Sequence, residues 1–454
     1  MSLLIENGLV LTAGKRSAIL PNHSVLVENG YIAKVAPASR FRGFVGKRID
    51  ASRKVVAPGF INAHTHLYST FARGLTRIKP AGNFTEVLKN LWWRLDSALT
   101  TEDCYYSALI ALLEAIRHGT TTLIDHHASP GAVRGSLAAI GKAVQQTGLR
   151  ACLCYELSDR DGPRISKEGL EENVSFIRSC KEAGPARPAA RAATPAEPPR
   201  LSALFGLHAA FTLKDATLEK AAALGREWDT GFHIHVAEAG SDQEYSKKKH
   251  QQRVVERLNR FGILGPRSIA AHCVHVNRRE IDILARTQTA VVHNPQSNLN
   301  NAVGIADVIS LQRRGALVGL GTDAMTANMR EEVRVGIWAQ HFRAQNPSVG
   351  FAEVVSALLF NNPVIAGRCF HLPLGELREG SVGDIIIVDY DPPTPLEADN
   401  AFGHVVFGIS QAAVDTTIVG GCVLMQNRRL ALNLDEPRIN ARARELAARL
   451  WKRL

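Results

Sequence analysis

From residue 58 to about residue 365 the chain repeats one unit eight times, an apolar run followed by a helical or loop stretch. The runs are VVAPGFINAH, TTTLIDHH, LRACLCYEL, LSALFGLHA, GFHIHVAE, SIAAHCVHV, TAVVHNPQS and LVGLGTDA. Apolar runs without strict alternation mark strands buried on both faces of a parallel sheet. The stretches between them include DCYYSALIALLEAIRHG, which ends in the glycine that stops helices. Eight strand-helix units argue for an α/β fold of the closed (β/α)8 type over an open doubly wound sheet. No glycine-rich dinucleotide or phosphate-loop fingerprint opens any of the helices.

The flanks have a different texture. Residues 1–57 read as short alternating strands, with Asn29-Gly30 as a hairpin turn that needs positive φ at both central positions. After residue 370 the β texture returns in GSVGDIIIVDYDPP, GHVVFGIS and DTTIVGGCVLMQNRR. Residues 1–57 and 366–430 are therefore predicted to pair as a small composite β-sandwich domain beside the barrel of residues 58–365. Residues 431–454 contain EPRINARARELAARLWKRL, an amphipathic helix with a basic face that should pack on the body. Residues 183–200, AGPARPAARAATPAEPPR, are too biased to build a core and are predicted to be a loop before the fourth strand.

At 454 residues, 45% hydrophobic and 21% charged, the chain can bury a large core and has the balance of a globular protein. The net charge of +11 raises the question of nucleic acid. The Lys and Arg residues are scattered, however, without zinc-finger spacing or an aromatic-studded basic strand, so no nucleic-acid partner is expected. No apolar stretch approaches the roughly 20 residues of a membrane span, and no secretory leader is read. The seven cysteines have no regular spacing, and Cys152 and Cys154 alternate on one sheet face, which suggests free thiols and a cytoplasmic setting.

Chemistry concentrates at the strand exits. His64-Thr65-His66 closes strand one, and period-two alternation points both imidazoles the same way. His235 ends strand five, His272 lies on strand six and Asp323 ends strand eight, so in a barrel these residues converge on one mouth. Three imidazoles and a carboxylate suit one divalent cation, Zn2+ ahead of Fe2+, with an open position for water whose pKa the metal would lower to roughly 7. Glu238, three residues after His235, can shuttle a proton between that water and a substrate nitrogen. His272 could be a fifth ligand or a hydrogen-bond donor to the attacked centre. His233 shares a face with His235 but should lie one layer deeper, as core. Bridged two-metal sites in such barrels use a carbamylated lysine at the end of strand four. Here that end carries His208 and no lysine before Lys214, so one metal is expected and His208 becomes a substrate contact.

The segments PGFINAHTH, HVAE, AHCVH, HNPQSN and GTDAM, in that order, resemble the amidohydrolase superfamily, in the branch of triazine hydrolases, guanine deaminase and adenosylhomocysteine deaminases. HTHLYSTFARG, LWWRLD and HNPQSNLNNAVG are most similar to SsnA-type aminohydrolases. The resemblance spans nearly the whole chain and leaves only the 183–200 insert unmatched. It implies His64, His66, His235 and Asp323 as ligands, Glu238 as proton shuttle, His272 and Asp323 as groups that activate the nucleophile, and a homodimer.

The expected reaction is deamination of an amino-substituted nitrogen heterocycle, purine-like or triazine-like, by metal-bound hydroxide. Substrate would lie among residues after strand one (Tyr68, Arg73, Trp92, Trp93 or Arg94) and His208. A chlorohydrolase or cyclic-amide hydrolase would use the same centre with other pocket groups. A non-catalytic scaffold is the remote alternative, disfavoured because the ligand set is complete.

Overall fold

The structure is a computed structural model and describes residues 2–14, 17–76, 78–184 and 197–454. Most of the Pro/Ala-rich segment, residues 185–196, lies outside the described residues, and with it the expectation of a loop there.

The N-terminal strands are β1 (Ser2–Leu11), β2 (Ile19–Glu28), β3 (Tyr31–Pro37), β4 (Lys47–Asp50) and β5 (Val55–Pro58). Asn29 and Gly30 sit at φ 51° and 86°, giving the tight turn that brings Glu28 opposite Tyr31. Gly59 then passes the chain into the barrel. Its N–H donates to the Asp384 carbonyl at 3.0 Å, and a Cβ there would stand 2.1 Å from the Thr121 side chain. The apolar run VVAPGFINAH is therefore two strands in two sheets, not one.

The barrel strands are β6 (Phe60–Thr65), β7 (Thr120–Asp125), β8 (Arg150–Leu153), β9 (Leu201–Ala203), β10 (Phe205–Ala209), β11 (Phe232–Val236), β12 (Ile269–His272), β13 (Ala290–His293) and β14 (Val318–Leu320). All neighbours pair in parallel. The fourth strand is broken at Leu204, so β9 pairs with β8 while β10 pairs with β11. The ring closes between the first and last strands. Thr322 and Asp323 both donate backbone N–H to the His64 carbonyl at 3.0 Å, and Asn362 Nδ2 donates to the carbonyls of Ile61 and Leu320 at 2.7 and 2.8 Å.

Helices cover the ring. Thr101–Arg117 starts with a reciprocal cap, Asp103 N–H to Thr100 Oγ1 at 3.2 Å and Thr100 N–H to Asp103 Oδ2 at 2.8 Å, a device worth about 1 kcal/mol. Its Leu109, Leu112, Leu113 and Ile116 are buried, each contributing roughly 1.5–3 kcal/mol of transfer free energy. The C-terminal helix Glu436–Arg453 lays Ile439, Ala443, Leu446 and Leu450 against the body, and Trp451 Nε1 donates to the Phe71 carbonyl at 2.7 Å.

The second end of the chain supplies β15 (Ile385–Val388), β16 (Val414–Val419), β17 (Cys422–Gln426) and β18 (Arg429–Leu430). β15 runs antiparallel to β5, which joins both ends in one nine-stranded sheet ordered β18-β17-β16-β15-β5-β1-β2-β3, with β4 on β1. A buried ion pair ties this sheet to the barrel: Arg150 Nε and Nη2 each lie 3.2 Å from the Asp384 carboxylate. GHVVFGIS, read as a strand, is helical (Ala401–His404 followed by a wider turn, Val405–Ile409). Val405, Val406 and Ile409 all reach the core from that helix while Phe407 faces out, so packing overrides the β-branched composition. The helix Asn362–Phe370 spans the boundary expected at residue 365. No helix among the described residues is long and apolar enough to cross a membrane.

Candidate metal centre

His64 and His66 leave β6 on the face predicted by alternation, His235 comes from β11, and Asp323 follows β14 at φ 52°. That left-handed backbone costs a non-glycine residue of order 1 kcal/mol. It turns the Asp323 carboxylate back over the barrel mouth, with Oδ1 3.0 Å from His66 Nε2 and 3.7 Å from His64 Nε2. One ligand-type atom from each of His64, His66, His235 and Asp323 lies within 4.8 Å of the other three.

The hydrogen bonds fix which nitrogens are free. His66 Nδ1 donates to the His126 carbonyl at 2.5 Å, and His235 Nδ1 donates to the His208 carbonyl at 2.8 Å. Both Nε2 atoms then carry lone pairs, yet they face each other 3.2 Å apart. Two bare acceptors at that distance repel unless something positive lies beside them. His64 Nδ1 is engaged with His233 Nε2 at 2.8 Å, which leaves buried His64 Nε2 with no hydrogen-bond partner. The donor set thus fits a divalent cation with nitrogen and oxygen ligands. His233 is fully buried, as expected, and in addition holds His64.

Burial works to keep His66 neutral, but Asp323 and Glu156 overcome it and raise the imidazole well above its ordinary range. Burial drives His64 down to about 4. Asp323 is held well below the usual carboxylate range, because contacts with His64 and His66 outweigh burial.

Glu238 and His272 stand beside this centre. His272 Nε2 lies 3.5 Å from Glu238 Oε2 and 3.7 Å from Asp323 Oδ2. Asn298 Nδ2 donates to His272 Nδ1 at 2.8 Å, which puts the imidazole hydrogen on Nε2. Burial raises the Glu238 carboxyl well above its normal range, with the Asp323 and Asp242 charges adding to the rise.

The cleft above the centre, about 660 Å3 and open to solvent, is lined by Tyr68, Trp92, Trp93, His208, Glu238 and Asp323, among others. Trp92, Trp93, Tyr68 and His208 are therefore brought together as the sequence predicted. Burial lowers His208 to about 3. Arg73 is not brought in. It forms a two-pronged pair with Glu114 at 2.6 and 2.8 Å and lines an adjoining cavity that shares His66, Trp92 and Asp323 with this cleft, while Arg94 lines neither.

Several groups escaped the sequence reading. Asp96, paired with Arg160, lines the cleft; burial raises its carboxyl to about 6. The Arg160 guanidinium lies 5.2 Å from the centre of the Trp93 ring. Glu156 lies at the exit of the third strand and His126 at that of the second. The rule that selected His235 and Asp323, a polar residue where an apolar run ends, would have found both.

A (β/α)8 barrel whose strand exits gather three imidazoles and a carboxylate around one point is the build of a metal-dependent hydrolase. The chain belongs to the amidohydrolase family, whose model matches residues 55–424. It is 32% identical to a 5-methylthioadenosine/S-adenosylhomocysteine deaminase of Desulforudis audaxviator, covering 99% of each chain. Among solved structures, a zinc-bound adenosine deaminase from Xanthomonas campestris superposes with a TM-score of 0.85 at 24% identity, covering 99% of this chain and 98% of the other. A zinc complex of atrazine chlorohydrolase from Arthrobacter aurescens superposes at 0.82 with 21% identity, over 98% and 100% of the two chains.

Proposed function

We propose that this protein deaminates an amino-substituted nitrogen heterocycle, purine-like or triazine-like, with one divalent cation, zinc, held by His64, His66, His235 and Asp323. The observation that carries the reading is the pair of facing Nε2 atoms of His66 and His235, whose Nδ1 atoms are both given to backbone carbonyls, with Glu238, His272 and Asp323 around the same point. The cation would supply a nucleophilic water at neutral pH. Glu238, kept protonated by burial and its acidic neighbours, gives its proton to the ring nitrogen next to the amino-bearing carbon. Asp323 accepts the proton of the attacking water. His272 donates from Nε2 to the charge that develops at the attacked centre. Trp92, Trp93 and His208 hold the flat ring, and the cleft walls limit competing water. The amino group takes the proton held by Asp323 and leaves as ammonia, the added hydroxyl returns a proton to Glu238, and a carbonyl remains.

The barrel carries this chemistry, and the sheet built from both chain ends braces it. The named activity of the Desulforudis relative supports a nucleoside substrate of the adenosine type. Exposed Trp338 and Phe342, one helical turn apart, support a homodimer, and seven unpaired cysteines support a reducing, cytoplasmic setting. The test is ammonia release from a panel of adenosine derivatives, guanine and aminotriazines by the zinc-loaded protein. Silence across that panel, with turnover of a chlorotriazine or a cyclic amide, overturns deamination. Light scattering checks the dimer.

A further inference from the structure

His126 and Glu156 have no part in the reaction above, yet they are the most chemically loaded residues next to it. His126 is fully buried, and neither of its ring nitrogens has a hydrogen-bond partner. Its ring is stacked on His233 at 4.4 Å, so it cannot swing out to water. Glu156 is 6% exposed; its Oε1 lies 3.2 Å from His66 Nδ1, which is already given to the His126 carbonyl, and makes no well-formed hydrogen bond. Leaving a buried polar group unsatisfied costs about 1–3 kcal/mol, and here the orphaned atoms face one another. His126 Nδ1 is 3.7 Å from Glu156 Oε1. Two ligands each about 2.0–2.2 Å from one zinc ion stand at comparable separations. Ligand-type atoms of His66, His126, Glu156 and His235 all lie within 4.8 Å of one another.

We propose that His126 and Glu156 form a second cation station in the barrel mouth, using His66 and His235 as its other two donors. The first station is completed by His64 and Asp323, the second by His126 and Glu156. His66 and His235 each have only one free nitrogen, because their Nδ1 atoms are bound to backbone carbonyls. The two stations share those donors and are therefore filled alternately, by one cation with two resting places. Three imidazoles and one carboxylate select a borderline-soft divalent ion such as zinc or cobalt over calcium or magnesium. The Glu156 carboxylate supplies the negative charge that lets a dication sit at this depth. One cation moving between stations explains why both orphaned sets persist side by side.

The test reads metal, not turnover, so its failure is separate from failure of the deaminase reading. In the double variant His64→Ala/Asp323→Ala the first station keeps only the two shared imidazoles, and the second is intact. This protein is expected to retain one zinc per chain after gel filtration. Adding Glu156→Gln should remove that zinc while circular dichroism stays unchanged. Crystals of the double variant should place the anomalous zinc peak at coordination distance from His126 and Glu156. Equal zinc loss from the folded double and triple variants, or a peak away from these two residues, overturns the proposal. Should the double variant not fold, crystals of the unaltered protein soaked at rising zinc concentration decide. Two peaks that rise together in a constant ratio, with occupancies summing to no more than one, support it; a single peak at His64 and Asp323, or two fully occupied peaks, overturns it.

Discussion

Asn298 holds His272 in one tautomer: its Nδ2 hydrogen reaches the His272 Nδ1 lone pair at 2.8 Å, so Nε2 carries the ring hydrogen. Loss of that contact lets the imidazole adopt the other tautomer, with a bare Nε2 between two carboxylates. Asn298→Ala should lower kcat by roughly tenfold or more, in line with loss of an orienting partner to a catalytic histidine. Asn298→Asp should be worse, because a carboxylate draws the hydrogen to Nδ1. Steady-state kinetics and zinc content, the latter unchanged, check both.

Glu238→Gln keeps the side chain's size but removes its transferable proton. The variant should lose roughly 10²–10⁴ in kcat, the usual range for a general acid-base group. Zinc content should stay at the unaltered level, since no ligand is touched. A variant that lost its metal along with its activity would move Glu238 into the ligand set.

Trp92 and Arg73 separate cleft from surface. Trp92→Ala removes an aromatic wall worth about 0.5–1.5 kcal/mol of stacking and should raise KM by roughly 2- to 12-fold. Arg73→Ala should leave KM unchanged. Its pair with Glu114 is solvent-exposed, so unfolding should show a loss of about 0–1 kcal/mol.

Glu332 gives the stability profile a sign. It is fully buried; burial raises its carboxyl to about 8, and one oxygen has no hydrogen-bond partner. In the unfolded chain the group titrates near 4.3, so between about 4.3 and 8 the folded state binds a proton that the unfolded state does not. Stability from this residue is full below that window and falls as pH rises through it, by about 1.4 kcal/mol per pH unit. Glu332→Gln keeps the acceptor for the Gln296 N–H and cannot ionise. Its melting temperature should exceed that of the unaltered protein at pH 8, and the gap should close toward pH 5.

The barrel was legible because its signals are local and repeated. Each apolar run and each polar residue at its end can be seen without knowing what lies across the ring, and His64, His66, His235, His272, Glu238 and Asp323 all follow that rule. Breaks in the strands were not legible. Nothing in VVAPGFINAH says that Gly59 must carry the backbone past Thr121 into another sheet. GHVVFGIS misled because β-branched residues also fill a helical face when the core accepts them. Arg73 misled because sequence proximity to strand one says nothing of Glu114, which claims its guanidinium. Asp96, on the helix Trp93–Ala98, and Arg160, in a turn after the third strand, meet from distant parts of the chain, a pairing no periodicity records.

β5, the strand just before the one that carries His64, is clamped between β1, made before it, and β15, made more than 300 residues later. A nascent chain has every proposed metal donor once Asp323 has left the ribosome, yet the floor beneath the first two has no partner on one side until residues 385–388 follow. Capture of the proposed cation would thereby wait on residues well beyond its last ligand: a chain cut short after Asp323 would hold all the right side chains and lack the frame that keeps them aimed.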